Sequence, residues 1–240
     1  MKRGKRYRSL REQIDRTRDY SPGEAISTLK ALQSAKFTEA VEVHIRLGVN
    51  VRHADQQVRG TMVLPHGLGK DVTVAVFAQG DKAREAEAAG ADAVGGEDLA
   101  ERVSGGWTDF DVAVATPDMM PVVARLGRIL GPQGKMPNPK VGTVTEDVGR
   151  AVEQAKAGRI EYRTDRTGII HIVIGRTDFD ERRLLENYAA LVEEIVRAKP
   201  AAAKGRYLRS ITLSPTMGPG IRVDPSRTKD ITEEVPAEAA

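Results

Sequence analysis

The chain has 240 residues, no cysteine, 40% hydrophobic residues and a formal net charge of +3. Such a length and hydrophobic content suffice for one large or two small folded domains, and the lack of cysteine excludes disulfides, thiolate metal sites and cysteine nucleophiles. The longest apolar run, Val72 to Ala78, is far short of the roughly 20 residues of a membrane-spanning helix, and Ser9-Leu10-Arg11-Glu12-Gln13 stands where a signal peptide would be apolar, so a cytoplasmic protein with no membrane partner is expected.

Lys2, Arg3, Lys5, Arg6, Arg8 and Arg11 precede or border the first acid, Glu12, and form a basic arm running into a short helix, suited to phosphate contact. Ser21-Pro22-Gly23-Glu24 combines a capping Ser, a proline at the first helical position and a Glu three residues after the cap, which predicts a helix start. Ala25, Ile26, Leu29 and Leu32 give that helix one apolar face. Val41, Val43, Ile45, Leu47 and Val49 then alternate with Glu42, His44, Arg46 and Gly48, the pattern of a strand buried on one side only. A second extended stretch is predicted from Gln57 to Leu64, ending where Pro65, Gly67 and Gly69 break regular structure. Val72 to Ala78 reads as a buried parallel strand, followed by a helix over Asp81 to Ala89. The strand–helix unit recurs as Ala91 to Val94 with Glu97 to Val103, and as Asp111 to Ala115 with Asp118 to Ile129. After a Pro- and Gly-rich loop, Gly131 to Gly142, a helix is predicted over Glu146 to Ala157. Arg159 to Arg163 and Ile169 to Ile174 read as a hairpin, Asp180 to Lys199 as a helix, and Tyr207 to Ser214 and Ile221 to Val223 as final strands.

Charge is segregated along the chain. Residues 1–69 hold 13 Lys and Arg against 7 Asp and Glu, residues 159–228 hold 13 against 9, and residues 70–158 hold 10 against 14. A field of one sign confined to particular segments suits a polyanion, most often nucleic acid, although the same charges also serve as ordinary solvated surface. The two basic flanks share half-polar strands, whereas the acidic middle is parallel α/β. The chain is therefore expected to be an α/β protein with one discontinuous α+β domain from residues 1–67 and 159–228 and an inserted α/β domain from residues 68–158. Gly67, Gly69 and Gly158 mark a double-stranded hinge, or simply permit turns. Residues 229–240 are acidic, poor in aromatics and expected to be disordered.

No catalytic constellation stands out. Gly69-Lys70 and Gly134-Lys135 lack the first glycine and the Ser or Thr of a phosphate loop, and no G-x-G-x-x-G follows a strand. The four histidines have no metal-ligand spacing, and His171, among isoleucines, reads as a strand histidine with a satisfied side chain. Neither an enzyme nor a cofactor is expected, with a nucleotide-binding α/β enzyme as the alternative; a DNA-binding regulator lacks any helix-turn-helix or zinc-finger spacing. With only 4% aromatic residues, an RNA partner would be read through phosphates, 2′-hydroxyls and shape rather than a stacking platform. Lys36-Phe37 is the exception: Phe37 either lies in the core or stacks on a base for about 1 to 3 kcal/mol. Thr216-Met217-Gly218-Pro219-Gly220 places an unbranched apolar residue in a turn, as a binding tip or an ordinary strand connection.

Several blocks in order resemble the bacterial large-subunit ribosomal protein L-one family: Ala35-Lys36-Phe37, Asp55 to Thr61, Leu64 to Lys70, Gly90-Ala91-Asp92, Leu130-Gly131-Pro132, Met136 to Lys140, Gly158 to Glu161 and Thr216-Met217-Gly218. The resemblance spans roughly residues 4 to 225. It implies a split α+β domain with a hinged, Rossmann-like insertion. It also implies binding to 23S rRNA in the mobile stalk, other large-subunit components as neighbours, assistance in releasing deacylated tRNA from the exit (E) site, and translational repression through the protein's own operon mRNA. Carried over by position, it implies an RNA surface of Lys36, Phe37, Glu42, Asp165, Gly168, Ser210, Thr216, Met217 and Gly218. Ala40 departs from the hydroxyl residue expected there, which puts one hydrogen bond in doubt.

Overall fold

The computed structural model describes residues 4–228 and 231, with Lys140 described by its backbone only; the acidic segment 229–240, apart from Ile231, lies outside the described residues. In chain order the elements are α1 (Lys5–Glu12), α2 (Pro22–Ala31), β1 (Ala40–Leu47), β2 (Arg59–Val63), β3 (Val74–Phe77), α3 (Asp81–Ala88), β4 (Ala93–Gly95), α4 (Glu97–Ser104), β5 (Val112–Ala115), α5 (Met120–Ala124), α6 (Gly127–Leu130), α7 (Val148–Lys156), β6 (Arg159–Arg163), β7 (Ile169–Arg176), α8 (Glu181–Arg197), β8 (Leu208–Pro215) and β9 (Ile221–Val223). It is a mixed α/β protein. The chain divides into two compact units at Gly69/Lys70 and Ile160/Glu161, so the first unit is discontinuous and Lys70–Ile160 form the second.

The first unit is built on a four-stranded antiparallel sheet in the order β7-β1-β8-β9. Val41, Val43, Ile45 and Leu47 are at most 2% exposed, because alternate residues of a strand point to one face and here that face lies under α2 and α8. The α2 start follows from its cap: the Ser21 hydroxyl accepts the Glu24 N–H at 3.3 Å, and Pro22 opens the helix. Ala25, Ile26, Leu29 and Leu32 are all buried, as the spacing predicts. In α8, Leu184, Leu185, Tyr188, Leu191, Val192 and Ile195 turn inward. Asn187, fully buried among them, donates to the carbonyls of Ile174 (2.7 Å) and Gly67 (3.1 Å) and accepts the His66 N–H (3.0 Å). One amide thereby ties the end of the first chain segment to helix and sheet.

The second unit is a three-stranded parallel sheet ordered β4-β3-β5. Val74 and Val76 join α3 and α7 in one core, and Ala75 and Phe77 join α4, α5 and α6 in another. A strand covered on both faces has no polar side, hence the unbroken apolar run.

Two expected elements differ. The helix expected over Asp118 to Ile129 is broken into a 3-10 turn at Pro117–Met119, then α5 and α6. Pro121 lacks an N–H, and the N–H groups of Arg125, Leu126 and Ile129 bond only three residues back, which tightens the coil. The expected hairpin is also not a ladder. The strand β6 pairs with β2 and β7 pairs with β1; among the described residues the two chain segments meet at an isolated bridge between Thr164 and Ile170. Each strand finds a different partner, because Ile170, Ile172 and Ile174 complete the large sheet's core while Tyr162 lies over Gly60 of β2, where any Cβ would collide with its ring.

Candidate nucleic-acid interface

The face of the large sheet away from α2 and α8 carries the outward residues of its strands: Glu42, His44 and Arg46 from β1, His171 from β7, Ser210, Thr212 and Ser214 from β8, and Arg222 from β9. Register sets the neighbours. Arg46 lies opposite Ser210, His44 between Thr212 and His171, Glu42 opposite Ser214, and Arg222 opposite Thr212. The Nδ1 atoms of His44 and His171 are 2.9 Å apart, and His44 Nε2 lies 3.0 Å from the Ser214 hydroxyl. Two nitrogens at that distance share a single proton, so at least one ring is neutral. Burial, and then the adjacent His171, hold the pKa of His44 below its usual value, with Glu42 opposing.

The nine residues named from sequence fall at two ends of this strip. At one end, Lys36 and Phe37 precede β1, with Phe37 53% exposed, and Met217, 47% exposed, lies in the loop after β8. Phe37 is therefore not core. Between the two loops stands Glu39, whose side chain is 1% exposed and which sequence reasoning did not single out. Its carboxylate accepts the N–H groups of Ala35 (3.3 Å) and Met217 (2.7 Å), while its own N–H donates to the Thr177 hydroxyl at 3.1 Å. A signal existed: Glu39 has the same odd parity as the buried Val41, Val43, Ile45 and Leu47. The Thr216 hydroxyl accepts the Ala40 N–H at 3.1 Å, so position 40 meets this loop through its backbone, whatever side chain it bears. Gly218 lies where a Cβ would run into the Pro215 ring. Glu42 opens the strip itself.

At the other end are Asp165, Gly168 and Ser210. Asp165 accepts from the N–H groups of Thr167 and Ile169, both at 2.8 Å, and from the Thr167 hydroxyl. Burial raises its pKa, but these bonds outweigh it and bring the pKa down to about 2. Gly168 adopts φ +77° and its carbonyl accepts the Leu47 N–H at 2.9 Å, a conformation that favours glycine. Both residues thus shape the turn whose exposed tip is Arg166. Among the described residues, Lys36, Arg46, Arg166 and Arg222 enter no ion pair, unlike Arg18, Arg182 and Arg197. The strip is polar, flanked by uncompensated cations and two exposed apolar tips.

Among the described residues, no group of three His, Asp or Glu could hold a metal ion, and no helix is long and apolar enough to cross a membrane. Residues 29–219 match the family model described as the ribosomal protein L1p/L10e family. The chain belongs to this ribosomal protein family. A curated relative, the large ribosomal subunit protein uL1 of Thermobifida fusca (strain YX), is 59% identical over 230 residues, covering 96% of this chain and 98% of the relative. The family match takes in all nine sequence-named residues and the whole of β1, β7 and α8, while α1 precedes it.

Proposed function

We propose that this ribosomal protein is a structural component of the large subunit in the cytoplasm, binding 23S rRNA directly through the polar strip of the first unit as part of the mobile stalk. The observation that carries the reading is the pair of exposed apolar tips, Phe37 and Met217, fixed around the buried carboxylate of Glu39 at one end of a strip whose cations are uncompensated. Buried hydrogen bonds that hold exposed apolar side chains in place favour contact with a partner over packing within the chain. Phe37 supplies a face for one base, Met217 fills a groove, and Lys36, Arg46 and Arg166 meet phosphates, with Ser210 and Thr216 near 2′-hydroxyls. Glu42, Asp165 and Gly168 shape the contact surface, and Gly218 permits close approach. No reaction is catalysed.

The same reading assigns Gly67, Gly69 and Gly158, at φ +61°, +68° and +86°, to a two-strand hinge on which the domain of residues 68–158 moves relative to that of 1–67 and 159–228. The Gly67 carbonyl accepts from Asn187, and a Cβ at Gly69 would strike the Phe179 ring, so the first connection is anchored to the discontinuous domain. Such motion would serve release of deacylated tRNA from the E site, and an mRNA fold resembling the rRNA site would let the protein repress its own operon. Ultraviolet crosslinking to in vitro transcribed 23S rRNA with residue mapping tests the core of the proposal. Crosslinks at Lys36, Phe37, Arg166 or Met217 are expected; crosslinks confined to residues 70–160, or none, would overturn it.

A further inference from the structure

Beside the Met217 loop, Tyr7, Arg11, Ile14 and Arg16 line a concavity with Pro219 and Gly220. Tyr7 is shared with a shallower depression, formed with Gly4 and Arg6, that reaches Met217 itself. Ile14 and Pro219 are buried and form an apolar floor, whereas Arg11 is half-buried and Arg16 exposed. Two neighbouring charged side chains have partners of their own. Arg18 pairs with Glu24 at 2.6 Å, and the Asp15 carboxylate accepts from the Thr17 N–H (2.9 Å) and hydroxyl (2.6 Å). That turn presents Arg16 outward, and neither Arg11 nor Arg16 enters an ion pair among the described residues. Two uncommitted guanidinium groups at one concave site match a tetrahedral oxyanion, which arginine engages with two parallel N–H donors.

We propose that Arg11 and Arg16, with Tyr7, form a phosphodiester clamp for the RNA strand that passes the Met217 tip, extending the grip onto α1 and the turn after it. The clamp rests on the RNA-binding reading above. Its ligand is a backbone phosphate of that RNA, because the concavity is continuous with the loop that bears Met217 and paired guanidinium donors fit the oxygens of a phosphodiester. The two arginines precede residues 29–219, the span that the family model matches, so the clamp adds to the surface that the family resemblance implies.

The test is a salt titration of affinity for in vitro transcribed 23S rRNA with three proteins: wild type, R11A/R16A, and R182A/R183A as a control of equal charge loss on α8. For R11A/R16A we expect affinity about 10- to 100-fold lower at low salt and a log–log salt slope shallower by roughly 1.5 to 2, since each lost cation removes about one phosphate contact. R182A/R183A should keep the wild-type slope. The clamp is overturned if R11A/R16A retains wild-type slope and affinity within about twofold, or if the control changes as much. A wild type with a flat salt response would instead sink the RNA-binding reading itself. Circular dichroism of R11A/R16A checks folding; should it unfold, R16A alone, in an exposed irregular turn, is expected to lower the slope by about 1, and an unchanged slope there overturns the clamp.

Discussion

Replacing Glu39 by alanine removes the acceptor for two backbone N–H groups, those of Ala35 and Met217, one of them in each loop at the end of the strip. Buried donors left without partners cost about 1 to 3 kcal/mol each, so Glu39→Ala should lower stability in urea by about 2 kcal/mol or more and weaken RNA binding as the Met217 loop comes free. Glu39→Gln, which keeps one carbonyl acceptor, should lose less on both counts. Met217→Asp is the converse: the side chain is half-exposed and contributes little to the core, so RNA affinity should fall at least tenfold while the thermal midpoint stays within a few degrees, as anisotropy and calorimetry would show. At His44, burial and His171 depress the pKa, so the unfolded chain holds its proton more tightly than the folded one. Stability therefore falls as pH drops below about 6.5, the ordinary histidine value. A thermal series from pH 7.5 to 5.5 should show this loss in the wild type and a smaller one in His44→Ala. His171 reads from sequence as a satisfied strand histidine, and its bond to His44 agrees; Glu39, by contrast, is hidden by its charge, because a carboxylate before a strand reads as loop surface unless its parity is followed.

Among the elements, those fixed by local chemistry are legible. Ser21 and Pro22 start α2 through an interaction spanning three residues, and the alternation in β1 names its buried face in advance. The elements that sequence misplaces depend on distant partners. Whether β6 pairs with β7 or with β2 is decided by which core each strand completes, and no turn signal at Asp165 to Gly168 encodes it. The continuous helix expected over Asp118 to Ile129 keeps its inward residues, Met119, Val123 and Leu126, although its backbone is interrupted, so the apolar period survives where the hydrogen-bond ladder does not. In α8, Asn187 serves three backbone groups from two other segments. Asn187→Ala should cost about 3 kcal/mol or more, read as a lower urea midpoint with an unchanged slope.

For the molecule as a whole, segregated charge is the feature with the longest reach. If the first unit neutralises four to six phosphates, the logarithm of RNA affinity should fall against log salt with a slope of roughly −3 to −5. Neutralising acids in the second unit, for example Glu97→Gln with Glu101→Gln, should leave that slope nearly unchanged, because the slope counts the phosphates that cations neutralise and these residues are not cations. A salt titration of wild type and this variant checks the expectation, and a slope altered by about 1 or more in the variant would contradict a grip confined to the first unit.

The α/β class, most helices and strands, the one-sided burial of β1, the two-sided burial of β3 and the partition of charge are all legible from residue spacing or from counting. Which strands share a sheet, that Phe37 faces solvent, that Glu39 joins two loops, and that His44 and His171 meet across neighbouring strands emerge with the folded packing. Those outcomes depend on contacts between separate elements, such as β1 with β7 and Glu39 with Met217, that lie far apart in the chain, and their pairing is set by how cores close rather than by any local pattern.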